Sequence, residues 1–383
     1  MNDRDSYRLA FLDWLACAAR GMSEPPARAA RVAADGLGGG IAAAGCAGHV
    51  LDYDDTYAPG LVHASAPVAP VALLVAADRG APIGVALDAY AAGFEATAAL
   101  ARAGHPALYE RGWHPTAVCG TVGAAITAAR LLSLDAEAER HAAALAVTRA
   151  AGLQAVFGTD GKALQVGLAA AAGFDAARLA SAGARADPDR AAAGFEAAYG
   201  GRWAPAQPEP AIRHNWIKAH PCCLLTHAAI EAAAQLRAGP GMPDGDLVVA
   251  VHPTARRAAP HDDVADGLEA KFSIPYTTAY TLLHGPPGVE SFGRPDEAAR
   301  SLAAARIRVR TDPGLAETEA RIEADGSVAA AVRHARGSPQ RPMDAAALAR
   351  KVAELAPRLA GALDDLDAPA GDVAGIAGLS RGG

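Results

Sequence analysis

What the chain has little of narrows the field first. Aromatic residues make up only 5% of its 383 positions, so its core cannot rest on large rings. It must form by close approach of the alanines that dominate the apolar fraction, which suits helix packed on helix and predicts a mainly helical protein. Lysine is scarce beside arginine, and no run of basic residues offers the stripe that a phosphate backbone needs, which excludes nucleic acid as a partner. The cysteines, Cys17, Cys46, Cys119, Cys222 and Cys223, are odd in number and lack zinc-type spacing. Cys222 and Cys223 are adjacent rather than spaced as a redox pair. No uncharged apolar stretch reads as the roughly 18 residues of a membrane span. The opening Met1-Asn2-Asp3-Arg4-Asp5 is mixed in charge, and Asp13 interrupts the apolar run from Leu9 to Ala19, which makes a poor signal peptide. A reduced, soluble, cytoplasmic protein is expected, with no membrane partner. Gly38-Gly39-Gly40 leads into no GK[ST], and no GxSxG elbow occurs, so phosphate-loop and serine-hydrolase chemistry find no support.

What is present is globular: 51% apolar residues, 20% charged and a net charge of -7. Ser6 is placed to cap a first amphipathic helix carrying Leu9, Leu12, Leu15 and Ala16. Residues 26–50 read as one small-residue helix, and further helices are expected over 68–77, 86–103, 117–132, 136–157, 164–172 and 226–237. The stretch Ala238 to Asp246 is almost wholly Gly, Pro and Asp and reads as a linker. Beyond it the period changes from 3.6 to 2. Leu247 to Val251 reads as a strand, Ile307 and Val309 alternate with arginines, and Asp325-Gly326 joins a hairpin. Helices over 273–283 and 344–359 complete an α+β unit, and 363–379 is weakly helical.

Chemistry concentrates in Gly48-His49-Val50-Leu51-Asp52-Tyr53-Asp54-Asp55-Thr56 and the answering Glu110-Arg111-Gly112-Trp113-His114-Pro115-Thr116. Asp52, Asp54 and Asp55 suit a metal site, helix capping or acid and base work, and the second acidic cluster that a metal site usually wants is missing. His63 and His114 both stand just before helices, where imidazole can move protons near neutral pH. Pro115 pre-sets a first helical turn whose free N–H groups attract anions, which puts His114 beside a carboxylate-binding position. Lys162, at the Gly158-Thr159-Asp160-Gly161 break, and Lys218 suit a substrate carboxylate, a base of lowered pKa or plain solvation. Cys223 is either a small buried hydrophobe or a thiolate base near Lys218 and His220.

In order along the chain, GHVLDYDDT, LVHASAPVAPVALLVA, ERGWHPTAVCGTVGAAITAARLL, GTDGKALQVGLAA, IKAHPCC and LEAKFSIPYTTAYTLLHG resemble the MmgE/PrpD family, which includes 2-methylcitrate dehydratase, cis-aconitate decarboxylase and iminodisuccinate epimerase. The resemblance implies a large all-helical domain over residues 1–243, completed by 345–383, with a smaller α+β lid over 244–344 and a cleft between them. It implies a homodimer and neither metal nor organic cofactor. Matched motif by motif, the family's site residues fall on Asp52, Thr56, His63, His114, Lys162, Lys218 and Tyr276, and Cys223, His220 and Lys271 lie in the same motifs. Where decarboxylase-like members carry a histidine five residues after the second lysine, this chain has Cys223; where a KxLHxG pattern places another, it has Gln165. These departures point away from decarboxylation. The expected activity is a cofactor-independent lyase of the dehydratase type, acting on a small hydroxy- or unsaturated polycarboxylate by proton transfer beside a carboxylate. An epimerase at the carbon next to a carboxylate, or a non-catalytic homologue, is the alternative.

Overall fold

The computed structural model describes residues 2–203, 207–239 and 241–380; Met1, residues 204–206, Pro240 of the linker and the last three residues of the C-terminal segment lie outside them. Long helices dominate. The first core is a stack of Asp3–Gly21, Gly36–Val50, Ser65–Asp78, Ile83–Gly104, Pro115–Leu131 and Asp160–Ser181, filled mostly by alanine, with leucine and valine next. Helix Ile83–Gly104 is long and apolar enough to cross a membrane by length and composition, and 67% of its most apolar 18-residue window is buried in this stack.

Small residues set how closely these helices approach. A side chain added at Gly45 would come within 3.0 Å of the Gly167 backbone, and one at Gly167 would overlap the carbonyl of Ala42, so Gly36–Val50 and Asp160–Ser181 touch backbone to backbone. Gly93 and Gly123 do the same where Ile83–Gly104 crosses Pro115–Leu131. The single helix expected over 26–50 is two, Pro25–Val32 and Gly36–Val50, parted where Gly36 takes a positive φ of 59° that favours glycine. The helix expected over 136–157 stops at Val147, and the following loop, with a short 3-10 turn at Gln154–Val156, turns toward the site.

The second core surrounds a four-stranded sheet in the order β4-β3-β5-β6, with β3 Leu247–Val251, β4 Ile307–Thr311, β5 Ala320–Ala324 and β6 Ser327–Val332. β3 runs parallel to β4 and antiparallel to β5, and β5 pairs antiparallel with β6. The parallel pair requires a crossover, which the helices between residues 253 and 306 supply. A two-residue ladder, β1 Thr56–Tyr57 against β2 Asn215–Trp216, lies outside this sheet.

The linker does not separate the two cores. Helix His227–Ala238, ahead of it, packs on β5, β6 and Ile274–His284, because its apolar face (Ala229, Ile230, Ala233, Leu236) belongs to the second core. Leu348, Val352, Leu355 and the helix Ala370–Ala377 return to the first.

Candidate active site

The acidic stretch follows the C-terminus of helix Gly36–Val50, where carbonyls lose their helical partners and carry partial negative charge. Lysines answer them. Lys271 Nζ donates to the carbonyls of Val50 (3.1 Å) and Leu51 (3.0 Å), Lys218 Nζ to that of Asp52 (2.5 Å), and Lys351 Nζ to that of Tyr53 (2.7 Å). With Lys162, these are all four lysines of the chain, and every one is buried. Held in this way, Asp52 sits in the left-handed region with φ 52°, a conformation aspartate tolerates better than most residues. Its Oδ1 lies 2.9 Å from Lys162 Nζ, 3.3 Å from Lys218 Nζ and 3.6 Å from His63 Nε2. Burial opposes its charge, yet Lys162 and Lys218 outweigh that and hold its carboxyl well below the usual range.

A second carboxylate fixes two imidazoles. Lys162 Nζ donates to His49 Nε2 at 2.8 Å, so the proton of His49 is on Nδ1, which donates to Asp54 Oδ2 at 2.9 Å. The same oxygen accepts from His63 Nδ1 at 3.0 Å. Burial disfavours the Asp54 charge too, but His63 and His49 keep its carboxyl well below the ordinary value. Burial lowers the pKa of His63, and lowers that of His49 to about 4, the latter helped by Lys162. At neutral pH His63 is therefore a neutral ring protonated on Nδ1, with a bare Nε2.

His49 Nδ1, Asp54 and His63 Nδ1 also form the one grouping among the described residues with the spacing of a metal site. Their facing atoms bond one another, and Lys162 donates to the far nitrogen of His49. A cation there would have to displace both N–H protons, so the trio fits a proton relay rather than a metal centre. Asp55 takes no part in either set. It accepts from Asn215 Nδ2 at 2.7 Å, and burial pushes it up to about 8, so it is protonated at neutral pH.

Asp52, His63 and Lys162 line a cavity together with Thr56, His114, Tyr109, Phe157, Cys223, Leu224, Leu225, Ala258 and Phe272. It encloses about 430 Å³ of atom-free space including its open mouth. The polar lining residues come from the ends of the helices that build the first core, whereas the apolar ones all belong to or pack on the second core, and such a mix of a few polar groups with apolar walls is the usual makeup of a small-molecule site. His114, just ahead of Pro115 at the start of helix Pro115–Leu131, stacks on His49 with ring centroids 5.8 Å apart and meets the Phe157 ring edge-on at 4.9 Å. Burial, then Lys162, holds its pKa well below the usual range.

Residues 39–206 match the MmgE/PrpD N-terminal domain and residues 220–366 its C-terminal domain. The chain belongs to the MmgE/PrpD family. It is 34% identical over 210 residues to the cis-aconitate decarboxylase of Homo sapiens, covering 50% of this chain and 43% of that protein. To the cis-aconitate decarboxylase of Mus musculus it is 31% identical over 272 residues, covering 65% of this chain and 55% of the relative. The chain thus spans about half the length of the curated relatives it matches.

Of the positions carried over from the MmgE/PrpD motifs, Asp52, Thr56, His63, His114, Lys162 and Cys223 line the cavity. Lys218 stands behind Asp52. Lys271 lines a smaller adjoining cavity that shares Asp52, Lys162 and Phe272, and burial lowers its pKa to about 8. His220 and Tyr276 line neither. His220 packs edge-on against His227 with ring centroids 5.0 Å apart, and the Tyr276 hydroxyl, inside the second core, accepts from the Asp296 N–H at 2.9 Å. Cys223 is a thiol rather than a thiolate, because burial pushes it up to about 11. Sequence reasoning weighed Asp54 for metal binding, capping or acid and base work without assigning it to the site, and missed His49, Tyr109, Phe157 and Phe272. A signal existed for His49 and Asp54, since both lie in the acidic stretch. None existed for the rings, which read as ordinary core.

Proposed function

We propose that this MmgE/PrpD protein is a cofactor-independent lyase for a small hydroxy- or unsaturated polycarboxylate, with His63 as the group that moves the proton. One observation carries the reading: Asp54 pins the proton of His63 on Nδ1 and leaves Nε2 bare at the cavity, 3.6 Å from Asp52. Nε2 takes the proton from the carbon beside a carboxylate. The imidazolium then lies between Asp54 and Asp52, which favour its charge. Electron density moves into the carboxylate as an enediolate, stabilised by the cationic end of the cavity around Lys162. The bond to the leaving hydroxyl breaks, and the imidazolium gives it the proton, releasing water and restoring neutral His63. For an unsaturated acid that loses CO2 no proton is taken from the substrate, so Nε2 of His63 first takes one from solvent; breaking the C–CO2 bond leaves its electron pair on carbon, and the imidazolium delivers that proton there, restoring neutral His63. The named relatives are cis-aconitate decarboxylases, so cis-aconitate belongs in the first set of substrates. A two-base epimerase would need a second base facing His63; Cys223 is a protonated thiol, and Lys218, bonded to the Asp52 carbonyl, does not line the cavity.

The test is proton NMR in deuterated buffer with cis-aconitate and with hydroxy-tricarboxylates. Loss of water or CO2 is expected, and His63→Ala should lower kcat by roughly 10²–10⁴-fold. Undiminished turnover by that variant would remove His63 as the group that moves the proton, and deuterium exchange at one carbon with no net product would refute the lyase reading.

A further inference from the structure

Gln165 stands one turn along the helix from Lys162 and does not line the cavity. Its amide has one available orientation. The backbone N–H of Leu153 donates to Gln165 Oε1 at 2.9 Å, and Gln165 Nε2 donates to the Leu153 carbonyl at 3.2 Å. Turning the amide over would set donor against donor and acceptor against acceptor. With the amide pinned, its second N–H meets His114 Nδ1 at 2.7 Å. Because Gln165 can only donate there, Nδ1 must accept, and the proton of a neutral His114 has to be on Nε2. That nitrogen makes no hydrogen bond among the described residues, and the ring lines the cavity. The ring is stacked on His49 and meets Phe157 edge-on, and the backbone of His114 is fixed as well. Its backbone N–H is tied to the Gly152 carbonyl at 3.0 Å, and Gln154 bridges the carbonyls of Tyr109 and Trp113 at 2.7 Å each.

We propose that Gln165 is a positioning residue that fixes His114 as a neutral, Nε2-protonated hydrogen-bond donor aimed at the substrate, the opposite tautomer to that of His63. Resting on the lyase reading, this divides the labour between the two rings. His63 carries the proton, while His114 keeps its own and donates a hydrogen bond to the oxygen on which enediolate charge develops. A neutral imidazole is well matched to that task, because a donor already in place needs no reorganisation as the charge forms. The charged or titratable groups facing the ring are Lys162, His49, His63 and Asp52.

The decisive experiment is 15N NMR of histidine-labelled protein without substrate, read for wild type, Gln165→Glu and Gln165→Met. Wild type should show His114 with Nε2 protonated and Nδ1 bare, and His63 with the reverse. Glutamate can only accept at that place, so Gln165→Glu should move the His114 proton to Nδ1 or add a second one, leaving His63 as it was; Gln165→Met should give a mixture. A wild-type His114 protonated on Nδ1, or a spectrum unmoved by Gln165→Glu, would overturn the proposal. On a substrate that wild type turns over, Gln165→Glu should lose about a hundredfold in kcat with little change in KM, as loss of one aligned donor does. Equal kcat would also count against the assignment. Should no polycarboxylate react with wild type, the lyase reading falls while the spectra still decide the tautomer, so the two failures are distinguishable.

Discussion

Asp54 Oδ2 governs two rings at once, since His49 and His63 both place their Nδ1 protons on it. Replacing it by asparagine leaves the size unchanged but offers an N–H or a neutral carbonyl in place of a shared anion. Where the amide N–H faces His63, the ring must accept on Nδ1 and carry its proton on Nε2, which removes the free lone pair from the cavity. Asp54→Asn should therefore fold, keep KM within a few-fold and lose on the order of 10³–10⁴ in kcat, the scale seen when an orienting carboxylate is lost and its histidine takes the wrong tautomer. Steady-state kinetics beside a circular dichroism spectrum will check this; a loss below about tenfold would mean that the relay does not set the base. Asp52 makes a different contribution. Its strained backbone is held by Lys218 at its carbonyl, and its carboxylate collects Lys162, Lys218 and His63 into one corner.

Among elements, the site depends on how closely Gly36–Val50 and Asp160–Ser181 approach, because one ends at His49 and the other begins beside Lys162. Gly167→Ala would push a methyl group into the Ala42 carbonyl. It should cost about 1–3 kcal/mol of stability, as overpacking does, and lower kcat as well, since Lys162 is on the same rigid helix. Gly371, exposed in helix Ala370–Ala377 with nothing within 4 Å of an added Cβ, is the control. Gly371→Ala should raise stability by roughly 0.5–1 kcal/mol through backbone entropy alone. Thermal melts of both variants will test the contrast, and a Gly167→Ala protein as stable and active as wild type would contradict the close-packing account. Lysine placement works at this scale as well. Lys218, Lys271 and Lys351 lie far apart in sequence, yet all three donate to carbonyls of the turn after a single helix.

The molecule as a whole keeps many ionisable groups dry, which ties its stability to pH. His49 and His220 are lowered to about 4 by burial, and burial lowers His63, His114 and His227 as well. The unfolded chain takes up these protons near pH 6.5 and the folded chain does not, so stability is lost as pH falls from 6.5 toward 4. Asp55, raised to about 8, and Asp13, also raised by burial, act in the other direction, their contribution being lost as pH rises through the folded pKa. The five histidines outnumber these two, at roughly 1.4 kcal/mol per pH unit for each group that fully titrates. The melting temperature should drop between pH 6.5 and 5, and a flat or rising curve there would show that the rings are already charged in the fold. Much of this protein could be read from the residue string. The shortage of aromatics and the wealth of alanine pointed to helices, the change of period after residue 246 marked the sheet, and the acidic stretch, the histidines ahead of helices and the scarce lysines offered Asp52, His63, His114, Lys162 and Lys218 as candidates that the family resemblance also singled out, because periodicity and local chemistry are properties of neighbouring residues. Tertiary structure alone decided that helix His227–Ala238 joins the second core, that Tyr276 and His220 stand away from the cavity, that Phe157 and Phe272 wall it, and which nitrogen of each imidazole holds the proton. Those outcomes depend on groups brought together from distant parts of the chain, and a hydrogen-bond partner some fifty residues away, as Gln165 is for His114, leaves no trace in local sequence.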